Sequence, residues 1–169
     1  MTERMINVPG GKIWTNVVGD GPGAPLLILH GGPGIPSAYL NCLANLASDR
    51  SVIFYDQLGC GRSDRPTASE GYFVKEHFID EIDHVRDNLG LSKVHLLGHS
   101  WGGLLATLYM NQQPHGIQSI TFESPLISVS RWVEDCNRLK GQLPSDIIDT
   151  MNRHEASNNT TCPERVIRK

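Results

Sequence analysis

The run Gly98-His-Ser-Trp-Gly-Gly103 constrains the fold of this chain more than any other, because it joins a buried strand to an apolar helix. Lys93-Val-His-Leu-Leu97 precedes it, and Leu104-Leu-Ala-Thr-Leu-Tyr-Met110 follows and stops before Pro114. In that setting G-x-S-x-G describes a sharp strand-to-helix turn. The positions two residues either side of the serine must be small, since side chains there would collide with the neighbouring strand and helix. Such a turn lifts the Ser100 hydroxyl clear of a sheet at the positive end of a helix, where an adjacent base can activate it. The plainer alternative is a glycine-rich turn with no chemistry.

The rest of the chain repeats the strand–helix pattern. Met5-Ile-Asn-Val8 and Lys12–Val18, separated by Pro9-Gly10-Gly11, read as a hairpin. Leu26-Leu-Ile-Leu29 and Ser51-Val-Ile-Phe-Tyr55 are continuous apolar runs, as expected of strands covered on both faces. A helix is predicted over about residues 37–47. A longer one is predicted over 75–88, where Phe78, Ile82, Val85 and Leu89 form one apolar stripe before Gly90. Asp80, Glu81, Asp83, Arg86 and Asp87 fall off that stripe and are expected to face water. Ile117–Phe122 is a further strand, and two short helices follow near 130–140 and 144–155, ahead of a polar tail from Asn158. Alternation of this kind implies an α/β fold with a mainly parallel sheet and right-handed crossovers.

A second glycine loop, His30-Gly-Gly-Pro-Gly34, ends an earlier strand. Acyl transfer needs backbone donors for a developing oxyanion at such a place, and glycine lets peptide N–H groups approach a carbonyl closely. The Gly32 N–H is the expected donor, with Gly31 as the alternative, together with the Trp101 N–H. Neither loop is a phosphate-binding P-loop, because no Gly-Lys-Ser/Thr follows.

With 169 residues, 39% hydrophobic and 20% charged, the chain can bury a core and is too apolar to be disordered. No stretch approaches the roughly 20 apolar residues of a membrane span. Fifteen basic against 18 acidic residues leave a net charge of −3, without the basic footprint of a nucleic-acid binder. The N-terminus lacks the apolar segment of a secretory signal. Cys42, Cys60, Cys136 and Cys162 lie far apart, which suits reduced thiols in a cytoplasmic protein better than a zinc site. Neither a metal nor an organic cofactor is expected, since acyl transfer needs only side chains and water.

Three elements together, His30-Gly-Gly-Pro-Gly34, Asp56-Gln-Leu-Gly-Cys-Gly-Arg-Ser-Asp64 and Gly98-His-Ser-Trp-Gly-Gly103, resemble the proline iminopeptidase family of α/β-hydrolases. The resemblance covers about residues 5–155, including Glu123-Ser-Pro-Leu-Ile127, which is similar to the lead into that family's helical cap. It implies residues 1–125 as the N-terminal part of a hydrolase core and 126–169 as the start of a cap. It also implies a serine aminopeptidase that releases N-terminal proline, or another N-terminal residue, from short peptides through an acyl-enzyme. An amino-acid amidase or esterase of the same fold is the first alternative, and a non-catalytic binding module the second.

The fold's triad runs Ser, then Asp or Glu, then His. No strand after Ser100 is expected to return an acid and a histidine to the same sheet edge, so the fold reads as incomplete and the chain as inactive alone. His115 lies some 20 Å away, beyond a helix of about 14 residues. His99 should point away from the turn, His95 sits at the wrong end of its strand, and His77 and His84 ride a helix. His154 belongs to the cap, and the resemblance gives His30 the support of the oxyanion loop. Glu123, ending the strand after the Ser100 helix, is a possible triad acid or a contact for a substrate amine. Asp56 is expected to brace its loop. A truncated sheet is also expected to expose an unpaired edge, favouring aggregation.

Overall fold

The structure, a computed structural model, describes residues 1–66 and 74–157. The tail predicted from Asn158, and Cys162 within it, lie outside the described residues. Six strands form one sheet: β1 (Thr2–Val8), β2 (Gly11–Val18), β3 (Gly23–Leu29), β4 (Arg50–Tyr55), β5 (Val94–His99) and β6 (Ile117–Glu123), in the order β1-β2-β4-β3-β5-β6. β1 and β2 pair as an antiparallel hairpin with Ile6 opposite Ile13, and β2 runs antiparallel to β4. The pairs β3–β4, β3–β5 and β5–β6 are parallel.

The continuous apolar runs serve two cores at once, because successive side chains of a strand point to opposite faces. Leu27, Leu29, Ile53, Tyr55 and Leu96 pack on one face with Phe78, Ile82 and Val85 of α1 (Lys75–Leu89) and with Leu105, Ala106 and Tyr109 of α2 (Trp101–Met110). Leu26, Ile28, Val52, Phe54 and Leu97 pack on the other face against Leu40.

Leu40 belongs to the segment Ser37–Ser48, which winds as 3₁₀ turns where the sequence predicts an ordinary helix. Asn41, Asn45 and Ser48 are weak helix formers, and the segment is fastened from outside. The buried Asp56 carboxylate accepts the Ser37 amide at 2.9 Å and its hydroxyl at 2.7 Å.

The α1 stripe forms as its spacing predicts, and Gly90 closes the helix at φ 66° with the Leu91 amide bonded back to the Arg86 carbonyl. The expected charged face is a different matter. Asp80, Asp83 and Asp87 are exposed, but Glu81 is only 3% exposed. It follows Phe78 by three residues and so shares the buried face. There its carboxyl oxygen accepts the Leu58 amide at 3.2 Å. Burial pushes the Glu81 carboxyl up to about 8. Arg86 is also drawn inward, where its guanidinium donates to the Tyr109 hydroxyl and the His115 carbonyl and ties α1 to the end of α2.

Met1–Ile127 forms one compact unit, and a second begins at Ser128. The second holds α3 (Val129–Lys140) and α4 (Ser145–Ala156). The Ser128 hydroxyl caps α3 through the Arg131 amide, and Lys140 bonds Glu155 at 2.8 Å. β6 lies at an edge of the described sheet with Phe122 exposed. Among the described residues, no helix is long and apolar enough to cross a membrane.

Candidate active site

Ser100 sits between β5 and α2 at φ 51° and ψ −114°, a conformation that costs a non-glycine residue about 1–3 kcal/mol and persists only when its surroundings impose it. They do so from both sides. The Ser100 amide donates to the Glu123 carbonyl at 3.0 Å, and the Ser100 carbonyl accepts the Leu126 amide at 2.9 Å. The glycines are there because the backbones touch. A Cβ on Gly98 would stand 2.5 Å from the Gly102 carbonyl oxygen, and one on Gly103 2.6 Å from Pro125 Cβ. A Cβ on Gly102 would run into the Leu29 carbonyl at the end of β3.

The loop after β3 packs directly against this turn. A Cβ on Gly31 would lie 3.3 Å from Ser100 Cβ, 3.0 Å from the Tyr39 hydroxyl and 2.9 Å from His99 Nδ1. Two successive peptide planes of the loop are fixed by hydrogen bonds. In the first, the His30 carbonyl accepts Gln57 Nε2 at 3.0 Å and the Gly31 amide donates to the Tyr39 hydroxyl at 2.8 Å. In the second, the Gly31 carbonyl lies 2.9 Å from His30 Nδ1. His30 is fully buried, and burial holds its imidazole below the usual histidine range, hence neutral. Its Nε2 accepts the Gln57 amide at 2.9 Å, so the network assigns the proton to Nδ1, which donates to Gly31.

A trans-type amide aims its N–H opposite to its C=O. Holding the Gly31 carbonyl toward His30 therefore points the Gly32 N–H the other way, with no protein partner among the described residues. The Trp101 N–H belongs to the first turn of α2, where a helix cannot satisfy its own donors. The Trp101 ring is pinned by an Nε1 bond to Gln57 Oε1 at 3.1 Å and by an edge contact with Phe78.

The structure thus brings Ser100, Gly31–Gly32 and Trp101 together. Of the two glycine amides, that of Gly31 already donates to the Tyr39 hydroxyl. The Glu123 carbonyl reaches Ser100, while its side chain is exposed at the end of β6. Among the described residues, no imidazole or carboxylate bonds the Ser100 hydroxyl. His99 Nδ1 is turned to the Tyr39 hydroxyl at 2.6 Å, and His95 Nδ1 to the Ser119 hydroxyl at 2.7 Å. Asp56 is spent on Ser37 and Arg62. Burial raises its pKa, but bonds from the Ser37 hydroxyl and from the Arg62 and Ser37 amides outweigh it and hold the carboxyl below its usual range. A cavity of about 290 Å³, lined by Pro33, Gly34, Leu58, Gly59, Lys75, Phe78 and Trp101, opens beside the loop.

The sequence singles out neither Gln57 nor Tyr39, and it puts Glu81 on the solvated face of α1, whereas Glu81 is buried. Gln57 lies inside the Asp56–Asp64 motif and was within reach of a sequence reading. Tyr39 and Glu81 act through the fold alone and carry no local signal.

The strand order, the strained serine turn and the glycine loop set against it are those of a hydrolase fold, and the alpha/beta hydrolase fold family matches residues 24–161. The chain belongs to the α/β-hydrolase family. Within it, the chain is 42% identical to a proline iminopeptidase of Heyndrickxia coagulans over 96% of its own length and 57% of that protein's. Among solved structures, a proline iminopeptidase of Mycobacterium smegmatis superposes with a TM-score of 0.83 at 34% identity, and VinJ with 0.91 at 30%. Each comparison covers 96% of this chain and 57% of the other. The chain therefore spans little more than half the length of these relatives.

Proposed function

We propose that this chain carries the nucleophile and oxyanion-binding part of a serine aminopeptidase that releases N-terminal proline, or another N-terminal residue, from short peptides. The observation that carries this reading is the strained Ser100 turn facing a loop whose Gly32 N–H is left pointing free. Ser100 Oγ attacks the carbonyl carbon of the N-terminal residue, and the Gly32 and Trp101 amides hold the oxyanion. Collapse of that intermediate breaks the C–N bond, the leaving nitrogen takes up the proton given up by the Ser100 hydroxyl, and the remaining peptide departs as an amine, leaving an ester on Ser100. Water then hydrolyses the ester and frees the amino acid. In this scheme Glu123 is a contact for the substrate's ammonium group or the triad acid, and residues 126–169 are the start of a cap. The names of the iminopeptidase relatives support the substrate class.

With no base bonded to it among the described residues, Ser100 stays a neutral alcohol. The 169-residue chain by itself is then expected to reach no more than the roughly 10³–10⁴-fold over water that oxyanion donors and binding give without a triad. The test is hydrolysis of prolyl-β-naphthylamide by the longest polypeptide that the reading frame of this sequence encodes. Turnover abolished in Ser100→Ala is the expected result. Turnover that survives the substitution, or failure to cleave any aminoacyl amide or ester, overturns the reading.

A further inference from the structure

We propose that Tyr39 is a positioning residue of the oxyanion loop: its hydroxyl joins the Gly31 amide to the His99 imidazole and so leaves Gly32 as the loop's free donor. The proposal rests on the reading of Ser100 and Gly32 given above and adds a residue from a different element. Tyr39 lies on the 3₁₀ segment, His99 at the end of β5 immediately before Ser100, and Gly31 after β3. One oxygen atom therefore connects three elements at the point where the glycine loop meets the serine turn.

The donor order follows from counting protons. The Tyr39 oxygen accepts the Gly31 N–H, and its own single proton is then available for His99 Nδ1. That direction requires Nδ1 to be bare, so a neutral His99 carries its proton on Nε2. Burial raises the Tyr39 pKa, which keeps the phenol protonated and able to donate. The rings also meet edge to face, with centroids 5.2 Å apart, so the imidazole is held by packing as well as by the bond.

The consequence for the loop is one of selection. Gly31 and Gly32 are consecutive, and a peptide shift could offer either N–H to a ligand on Ser100. Tyr39 occupies the first. His30 fixes the carbonyl of the same residue and thereby the direction of the second. Removing the Tyr39 hydroxyl releases one of these two restraints while leaving Ser100, Gly32 and Trp101 unaltered.

Tyr39→Phe deletes only that oxygen and keeps the ring. In the 169-residue chain, nitrogen-15 NMR should find His99 as the Nε2–H tautomer, and the Gly31 amide protected from exchange. In Tyr39→Phe the Gly31 amide should exchange about tenfold faster, as loss of one hydrogen bond allows, and the His99 tautomers should mix. An Nδ1–H tautomer in the unsubstituted chain, or a Gly31 amide that exchanges as a free amide there, overturns the proposal without any variant. Unchanged exchange and tautomer in a folded Tyr39→Phe overturn it equally. In the longest encoded polypeptide, Tyr39→Phe should lower kcat by about 10- to 100-fold with KM changed less than about twofold, because the loss falls on the oxyanion. A KM effect alone counts against the positioning role. If the NMR results hold while turnover survives Ser100→Ala, the clamp stands and the peptidase reading falls.

Discussion

Replacing Glu81 by Gln removes a buried ionisable group and should reverse its effect on stability as pH rises. Glu81 is 3% exposed, and burial raises its pKa from 4.5 to about 8, although the Leu58 amide pulls it the other way. Between those values the folded chain keeps the proton while the unfolded chain loses it, so stability is full below pH 4.5 and falls as pH rises through 8. At about 1.4 kcal/mol per pH unit, the loss accumulated across this window is about 5 kcal/mol, a large share of a domain's net stability. Glutamine keeps an oxygen for the Leu58 amide and carries no charge. Near pH 5 the two proteins should therefore agree within about 1 kcal/mol, the scale of a conservative buried exchange. By pH 8.5 Glu81→Gln should be the more stable by several kcal/mol. Urea unfolding followed by circular dichroism at pH 5, 6.5 and 8.5 measures this directly. A difference between the two proteins that stays constant over the three pH values refutes the assignment of Glu81 as a group buried in its neutral form.

Two substitutions around the site, Gly102→Ala and Ser37→Ala, and one control away from it, Gly141→Ala, test its packing. Gly102→Ala places a methyl group on the Leu29 carbonyl and should destabilise by about 3 kcal/mol in thermal or urea unfolding. Gly141→Ala, where a Cβ meets nothing closer than 3.5 Å at a φ of −64°, should be within about 0.5 kcal/mol of the parent. Equal effects from the two would contradict close backbone contact at Gly102. Ser37→Ala removes one bond to the Asp56 carboxylate and should cost about 1.5–3 kcal/mol at pH 7. Because the Asp56 pKa is lowered, that stabilisation exists above its ordinary value of 3.8 and disappears as pH falls through the folded value. The Ser37→Ala penalty should shrink toward pH 3, and one that grows there would be inconsistent with an ionised Asp56.

The parts of the fold legible in the sequence are those where local pattern and tertiary burial agree. Leu26–Leu29 and Ser51–Tyr55 are uniformly apolar because alternate residues feed two cores, and the stripe Phe78, Ile82, Val85, Leu89 faces one of them. The glycines around Ser100 were legible because backbone contact permits no other residue. What failed depends on partners distant in sequence. Glu81 lies beside the stripe and looks solvated until the Leu58 amide folds over it. The turns of Ser37–Ser48 are set by an aspartate after β4, which no spacing within the segment reports. The sequence prefers Gly32 to Gly31 as a donor, but the phenol that accepts the Gly31 N–H comes from another element and leaves no mark in the glycine loop itself.

The bonds that fasten Ser100 also impose an order of events during synthesis. Its amide and carbonyl are held by Glu123 and Leu126, which leave the ribosome later than the serine does. Until β6 has docked, nothing forces the unfavourable backbone angles, and the residue is free to relax. The shape of the turn at Ser100 is thus a late acquisition of the nascent chain, and its backbone angles mark the moment at which β6 docks.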